Sequence, residues 1–223
     1  MSETGLRVTG GLAGILGPVS LTIYFVAPTL TGWPFSGASG ARLVAYANSH
    51  QQLFYAGAWF QATGALLSIV FFLTVLQLAG ATSRLPGLLT ILALAALLSV
   101  VLLESAFLVA VPMAAASGDV GTVRTTFALS NGVFVRVFPL APASASFIGL
   151  GVVILGSTVL NRWFGYFAAG LGAAFELVGV AAIFSGVGLI LAIVLSIVQE
   201  FWIFAAAIAL LLSARTDSSL SRA

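Results

Sequence analysis

Residues 88–111 read LLTILALAALLSVVLLESAFLVAV, an unbroken apolar run whose single charge is Glu104. A helix that is apolar on every face is buried either in a large protein core or in lipid. Composition decides between the two. Of 223 residues, 61% are hydrophobic and 6% charged, with a mean hydropathy of +1.17, whereas a soluble domain carries about a quarter charged residues. So few charges cannot build a water-facing surface. About 20 apolar residues cross a bilayer as a helix, and the run is read as a transmembrane span.

Stretches of the same character flank it on both sides. One covers about 53–79, separated from the first run by Arg84 and the Leu85-Pro86-Gly87 breaker. Beyond Pro112 and the loop at Ser117-Gly118-Asp119 lie further spans at about 126–155, 163–184 and 188–212, and an N-terminal one covers about 10–30. The sequence predicts an all-α polytopic membrane bundle of six transmembrane helices in a single integral membrane domain, residues 1–223.

Finer features follow from local chemistry. The flanks of the first span hold Glu3 and Arg7 without a cationic cluster or a small-residue cleavage site, so a retained helix is expected, bent by Pro18 and Pro28. After a Gly/Ser/Pro-rich turn, Thr31 to Gly40, the mixed pattern of Arg42 to Gln52 predicts a short interfacial helix or lid. Pro139 and Pro142 should kink the fourth span and free backbone carbonyls that need partners inside the bundle. Ser185-Gly186-Val187 predicts a tight hairpin between the last two spans. On the fifth, Ala168/Gly172 and Ala169/Ala173 offer a close-packing face.

Composition also removes several chemistries. Zero Cys excludes a disulfide, a thiol nucleophile, an iron–sulfur cluster and a thiolate zinc site. Every basic residue is Arg (Arg7, Arg42, Arg84, Arg124, Arg136, Arg162, Arg215 and Arg222), so no Schiff-base lysine exists. The single histidine, His50, cannot make a multi-histidine metal site and is expected at the interface. No metal, cofactor or nucleic-acid partner is expected, since the net charge of +2 comes from few groups and bears on orientation in a membrane. Placing both termini in the cytoplasm puts Arg7, Arg84, Arg162, Arg215 and Arg222 on that side and leaves Arg42 and Arg124 outside. No solenoid period is visible.

Short motifs lie along much of the chain: Leu6-Arg7-Val8-Thr9-Gly10-Gly11-Leu12 entering the first helix, Ala47-Asn48-Ser49-His50-Gln51 before the second, Glu104 in the third, Asn161-Arg162-Trp163 entering the fifth and Gln199-Glu200 in the sixth. In these the chain resembles a family of bacterial six-span membrane proteins of unknown function. It departs from that family at Leu160-Asn161-Arg162-Trp163, where the family has a longer, Pro-containing turn. The resemblance implies a six-helix bundle in a bacterial cytoplasmic membrane and supplies no activity.

The polar residues inside the spans need an explanation. Glu104, Glu176 and Glu200 lie there with Arg136, Gln61 and, nearer the surface, Asn131. A charge at helix centre costs about 2.5–3.5 kcal/mol on insertion scales, so each should face the bundle interior with a partner. At 1.5 Å per residue, Glu104, Glu176, Arg136 and Gln61 lie roughly 12–18 Å from the outer ends and Glu200 slightly deeper, one layer in five helices. One guanidinium neutralises one carboxylate, and at least one of the other two acids is expected to keep its proton at neutral pH. Helical spacing adds Phe54, Gly57, Gly64 and Ser68 beside Gln61, Phe107 after Glu104, and Ser196 and Phe204 around Glu200. Trp33, Trp59, Trp163 and Trp202 read as aromatic-belt or lipid-facing residues. Gly10-Gly11-Leu12-Ala13-Gly14 follows no strand and is not a phosphate loop.

Three functions fit this layer. The first is a membrane enzyme in which Glu104, Glu176, Glu200 and Arg136 are catalytic, a protonated Glu starting isomerisation or cyclisation of a hydrophobic, prenyl- or terpenoid-like small molecule held by Phe54, Gln61, Phe107, Asn131 and Phe204. The second is a small proton-coupled transporter or channel, for which a homodimer would supply the path. The third is an accessory subunit whose buried charges specify helix pairing.

Overall fold

The computed structural model describes residues 2–34, 37–184 and 188–220. Helices α1 (Glu3–Leu30), α2 (Gly40–Ser49), α3 (Gln51–Leu78) and α4 (Leu85–Ala116) are followed by α5 (Val120–Gly132) and two π-helical segments, Val133–Val137 and Pro139–Ala143. Then come α6 (Ser144–Leu155), α7 (Arg162–Phe184) and α8 (Gly188–Leu220), with no strand among the described residues. Six of these units are long and apolar enough to cross a membrane: α1, α3, α4, the composite Val120–Leu155, α7 and α8. The chain is an all-α polytopic bundle. The turn Ser185-Gly186-Val187 and Arg222 lie outside the described residues.

Each span packs against the next in chain order, and α8 returns to pack on α1, so the six close into a ring. Aromatic side chains fill its middle. Phe147 of α6 is fully buried, with Phe72 of α3 at 5.6 Å, Trp202 of α8 at 5.4 Å and Phe175 of α7 at 6.2 Å between ring centroids. Trp202 is thereby a core residue and not lipid-facing as the sequence predicts. Its indole N–H donates to the Phe164 carbonyl at 3.1 Å, so the polar edge is satisfied within the bundle. Trp59 and Trp163 are exposed.

In lipid, helices associate through close packing of small residues rather than by withdrawing apolar surface from water. Two seams use this directly. Where α1 crosses α3, a Cβ on Gly17 would stand 2.9 Å from the Gly64 carbonyl oxygen, and one on Gly64 would stand 2.9 Å from that of Gly17. Gly11 and Gly14 of the same helix admit Leu211 and Ala207 of α8. The glycines that open α1 are thus a packing face. Between α6 and α7, Gly151 lies over the Gly165 carbonyl and Gly172 over that of Ser144, and Ala168 in the same seam is fully buried.

The fourth span answers its prolines by widening. Pro139 and Pro142 have no N–H to give, and the Phe138 carbonyl, which an α-helix would pair with residue 142, accepts instead from Ala143 N–H at 3.1 Å. Phe138 N–H likewise reaches back five residues to the Val133 carbonyl at 3.0 Å. Ser146 Oγ donates to the Pro142 carbonyl at 2.6 Å, one of the internal partners the kink requires. Pro112, by contrast, does not end α4. The helix runs on to Ala116, and Pro112 is buried among its neighbours, as membrane helices allow.

The short helix α2 packs on α3, α4 and α5 and buries Leu43 and Ala47 there. It caps the end of the ring where α1 and α4 finish and α3 and α5 begin. At that end Gly118, at φ +74°, turns the chain into Asp119, whose carboxylate caps α5 by accepting from Thr122 N–H at 3.0 Å and Thr122 Oγ1 at 2.6 Å. These bonds hold the Asp119 carboxyl below the usual carboxylate range.

Candidate functional site

Two cavities meet inside the ring. The outer one, about 400 Å³, is walled by α1, α3, α4, α5 and α8 at the end that α2 caps, and it ends on Glu104. Its lining is apolar and aromatic for the most part, including Tyr24, Phe25, Trp33, Phe54, Phe60 and Phe134. The inner one, about 40 Å³, lies deeper and is lined by Gln61, Ser68, Glu104, Ser196, Gln199 and Glu200 among apolar residues. Tyr24, Phe25, Glu104 and Phe134 line both cavities, so these four form the partition between them.

The partition is held by a hydrogen bond and a ring contact. Tyr24 Oη donates to Glu104 Oε1 at 2.9 Å, and the Phe25 and Phe134 centroids are 5.7 Å apart. Gln61 lines the inner cavity with Glu104 and accepts from Ser105 Oγ at 2.9 Å. The α1–α3 crossing sets this geometry. Tyr24 lies two turns beyond Gly17 on α1, Gln61 lies about one turn before Gly64 on α3, and both lean over α4 where Glu104 is 3% exposed. Across the inner cavity Glu200, 5% exposed, accepts from Gln199 Nε2 at 3.0 Å. Glu200 Oε2 and Gln199 Oε1 are buried with no hydrogen-bond partner.

Of the residues singled out in the sequence, the structure brings Glu104, Glu200 and Gln61 around one cavity and places Phe54 and Asn131 in the wall of the outer chamber. Asn131 is anchored by donating to the Phe127 carbonyl at 2.8 Å. The other four stand elsewhere. Arg136 is exposed, in the first π-helical segment, and no Arg or His pairs with Glu104 or Glu200 among the described residues. Counting residues fixes a side chain's height in a span but not its azimuth, and a π turn, with its extra residue, rotates that azimuth away from the α-helical one. Glu176 is half-buried on α7 and lines neither cavity.

Phe107 and Phe204 fail by the same geometry. At 100° per residue, position i+4 stands 40° from position i and i+3 stands 60° away on the other side. On α4 the i+4 residue Leu108 takes the chamber wall after Glu104, leaving Phe107 half-buried. On α8 the i+3 residue Ile203 turns inward with Glu200 and Phe204 is 37% exposed. Trp33, expected in an aromatic belt, packs with Phe127, Tyr46 and Phe54 at 5.3, 5.7 and 5.1 Å and lines the chamber. His50 stacks on Tyr46 at 4.3 Å, at the capped end. Tyr24, Ser105 and Phe134 are site residues that carry no charge and do not stand out within the spans, and Gln199 stands out there only as the neighbour of Glu200. A phenol inside an apolar span was the available signal for Tyr24, because its hydroxyl must find a partner there.

The fold and cavities define a class, a polytopic membrane protein with an apolar chamber ending on a buried acid. Comparison of the chain with protein-family models, curated proteins and solved structures gave no match.

Proposed function

We propose that the protein is an integral membrane enzyme of a bacterial cytoplasmic membrane, with both termini in the cytoplasm, and that Glu104 in its neutral form is the general acid. Its substrate is a hydrophobic small molecule of the prenyl or terpenoid type, which it isomerises or cyclises. The observation that carries this reading is the outer chamber. Its volume falls in the 300–1,000 Å³ range of ligand pockets, its walls are apolar and aromatic, and its one acid stands at the closed end. A proton given by Glu104 to a double bond would leave a carbocation facing Tyr24, Phe25, Phe60 and Phe134, whose ring faces favour positive charge. Tyr24 holds the carboxyl group in place. Ile23 and Ala27 of α1 and Ile193 of α8 also line the chamber, so its wall includes the seam between two neighbouring spans, a route by which an apolar substrate enters from lipid.

Proton-coupled transport is the second reading, favoured by the second acid, Glu200, behind the partition. Against it, the polar lining ends at the inner cavity, and beyond it Phe71, Leu76 and Leu210 are fully buried core. Turnover of prenyl substrates by purified protein tests the proposal. Product should form in detergent, vanish in Glu104→Gln, and leave ligand retention in that variant intact. No product in detergent together with pH-gradient-driven flux in proteoliposomes would replace the enzyme by the transporter. Full activity in Glu104→Gln and Glu200→Gln would make the acids structural and favour an accessory subunit. Because the chain has no cysteine, single cysteines report orientation: Ser83→Cys should be shielded from impermeant maleimide in intact cells, and Ser117→Cys should label.

A further inference from the structure

We propose that the inner cavity binds one small monovalent cation, of sodium size, through Glu200, Gln199, Ser196 and Ser68. The argument is a census of donors and acceptors around it. Every polar side chain lining the cavity comes from α1 (Tyr24), α3 (Gln61, Ser68), α4 (Glu104) or α8 (Ser196, Gln199, Glu200). The hydroxyls of Tyr24, Ser68 and Ser196 and the amide nitrogen of Gln199 each have a partner. Tyr24 gives to Glu104, Gln199 to Glu200, Ser68 Oγ to the Gly64 carbonyl at 2.9 Å, and Ser196 Oγ to the Ala192 carbonyl at 2.8 Å, while Gln61 Oε1 accepts from Ser105 Oγ at 2.9 Å. Left over around Glu200 are acceptors: Glu200 Oε2 and Gln199 Oε1, both buried and unpaired, and the lone pairs of two serine oxygens whose hydrogens point away into backbone.

A group that brings positive charge and no need of a donor answers that set. A buried acceptor left unpaired is unfavourable, and a charged one more so, and two carboxyl groups share the site with no Arg or His paired to either among the described residues. With the proton on Glu104, the Glu200 carboxylate needs one positive charge, for which a monovalent cation competes with a proton. The donors are all oxygen, the preference of hard cations. Among the described residues no three His, Cys, Asp or Glu gather as a divalent or transition metal would require. The volume, about 40 Å³, exceeds the 10–15 Å³ that one water needs, which leaves space for an ion with one water and none for an organic ammonium. Spacing at 196, 199 and 200 puts three of the four groups on one face of α8, and Ser68 faces them from α3.

Thermal unfolding of the full chain in detergent, at fixed pH and ionic strength with NaCl exchanged for choline chloride, tests this without any knowledge of the substrate. A bound ion stabilises the folded state as its concentration rises past Kd. Tm should therefore climb and saturate with Na⁺ and stay flat with choline. Glu200→Gln should abolish the climb. Ser196→Ala keeps every charge and should fold if Glu200→Gln does not, and it should raise the Na⁺ concentration at half-effect by about tenfold. Ser99→Ala, exposed on α4, should match the parent. Equal melting in NaCl and choline chloride, or a Na⁺ response unchanged in both cavity variants, would overturn the proposal and leave the reading of Glu104 untouched.

Discussion

Replacing Gly17 by Ala tests what positions the site. The new methyl group would lie 2.9 Å from the Gly64 carbonyl oxygen and 2.9 Å from the Ser68 backbone nitrogen, against 3.4 Å or more for ordinary contact. The Ser68 hydroxyl, 2.5 Å away, can turn aside, but these two obstacles are backbone and cannot. Helices α1 and α3 must part by about half an ångström, a cost of about 1–3 kcal/mol for an overpacked contact. At about 2–4 °C per kcal/mol for a chain of this length, Tm in detergent should fall by several degrees. Tyr24 rides on the same helix, so the Tyr24–Glu104 bond should lengthen with it. Gly170→Ala is the control. A Cβ there meets nothing within 4 Å, and removing a glycine from a helix interior gains up to about 1 kcal/mol. Equal melting of Gly17→Ala and the parent would refute the claim that this crossing is made by backbone contact.

Tyr24→Phe and Glu104→Gln, combined in a double-mutant cycle of unfolding free energies, should show a coupling of about 1–3 kcal/mol; additive effects would mean the 2.9 Å contact contributes nothing. Trp202→Phe removes the N–H bonded to the Phe164 carbonyl and should cost about 1–3 kcal/mol by thermal or denaturant unfolding. Asp119 makes a pH prediction. Its folded carboxyl titrates below its unfolded value of 3.8, so its contribution to stability is full above that value and is lost as pH falls through the folded one. A Tm profile below about pH 4 should be less steep in Asp119→Ala than in the parent.

The fold was legible because lipid demands a long apolar run for each span, and residues 88–111 and their companions meet that demand without tertiary context. The site was legible only in one coordinate. Rise per residue puts Glu104, Glu200, Gln61, Glu176 and Arg136 at similar heights, and the structure gathers only the first three, since azimuth depends on the π-helical widening at Val133–Val137 and on how each helix rolls against its neighbours. Charge was also a poor guide to partners. The groups that bond to the two cavity acids are a phenol and an amide, Tyr24 and Gln199, which hydropathy counts scarcely register. The glycines of α1 were visible in the sequence, but their use as a seam required the facing Gly64 and Ala207.

A ring closed by its first and last spans is also a schedule. Tyr24 leaves the ribosome before Glu104, so the acid of the third span enters the membrane with its hydrogen-bond partner already there. Glu200 follows 96 residues later, roughly 5–20 s at usual rates of synthesis, and it arrives with Gln199 beside it on the same turn. Each carboxyl group is thus accompanied at the moment it is inserted, and the wall that shuts the inner cavity, α8, is made after the other five spans. A chain released early, after α7, would hold the acid and its partner but no enclosed chamber, and the translation time of one helix separates an open sheet of five spans from a protein with an inside.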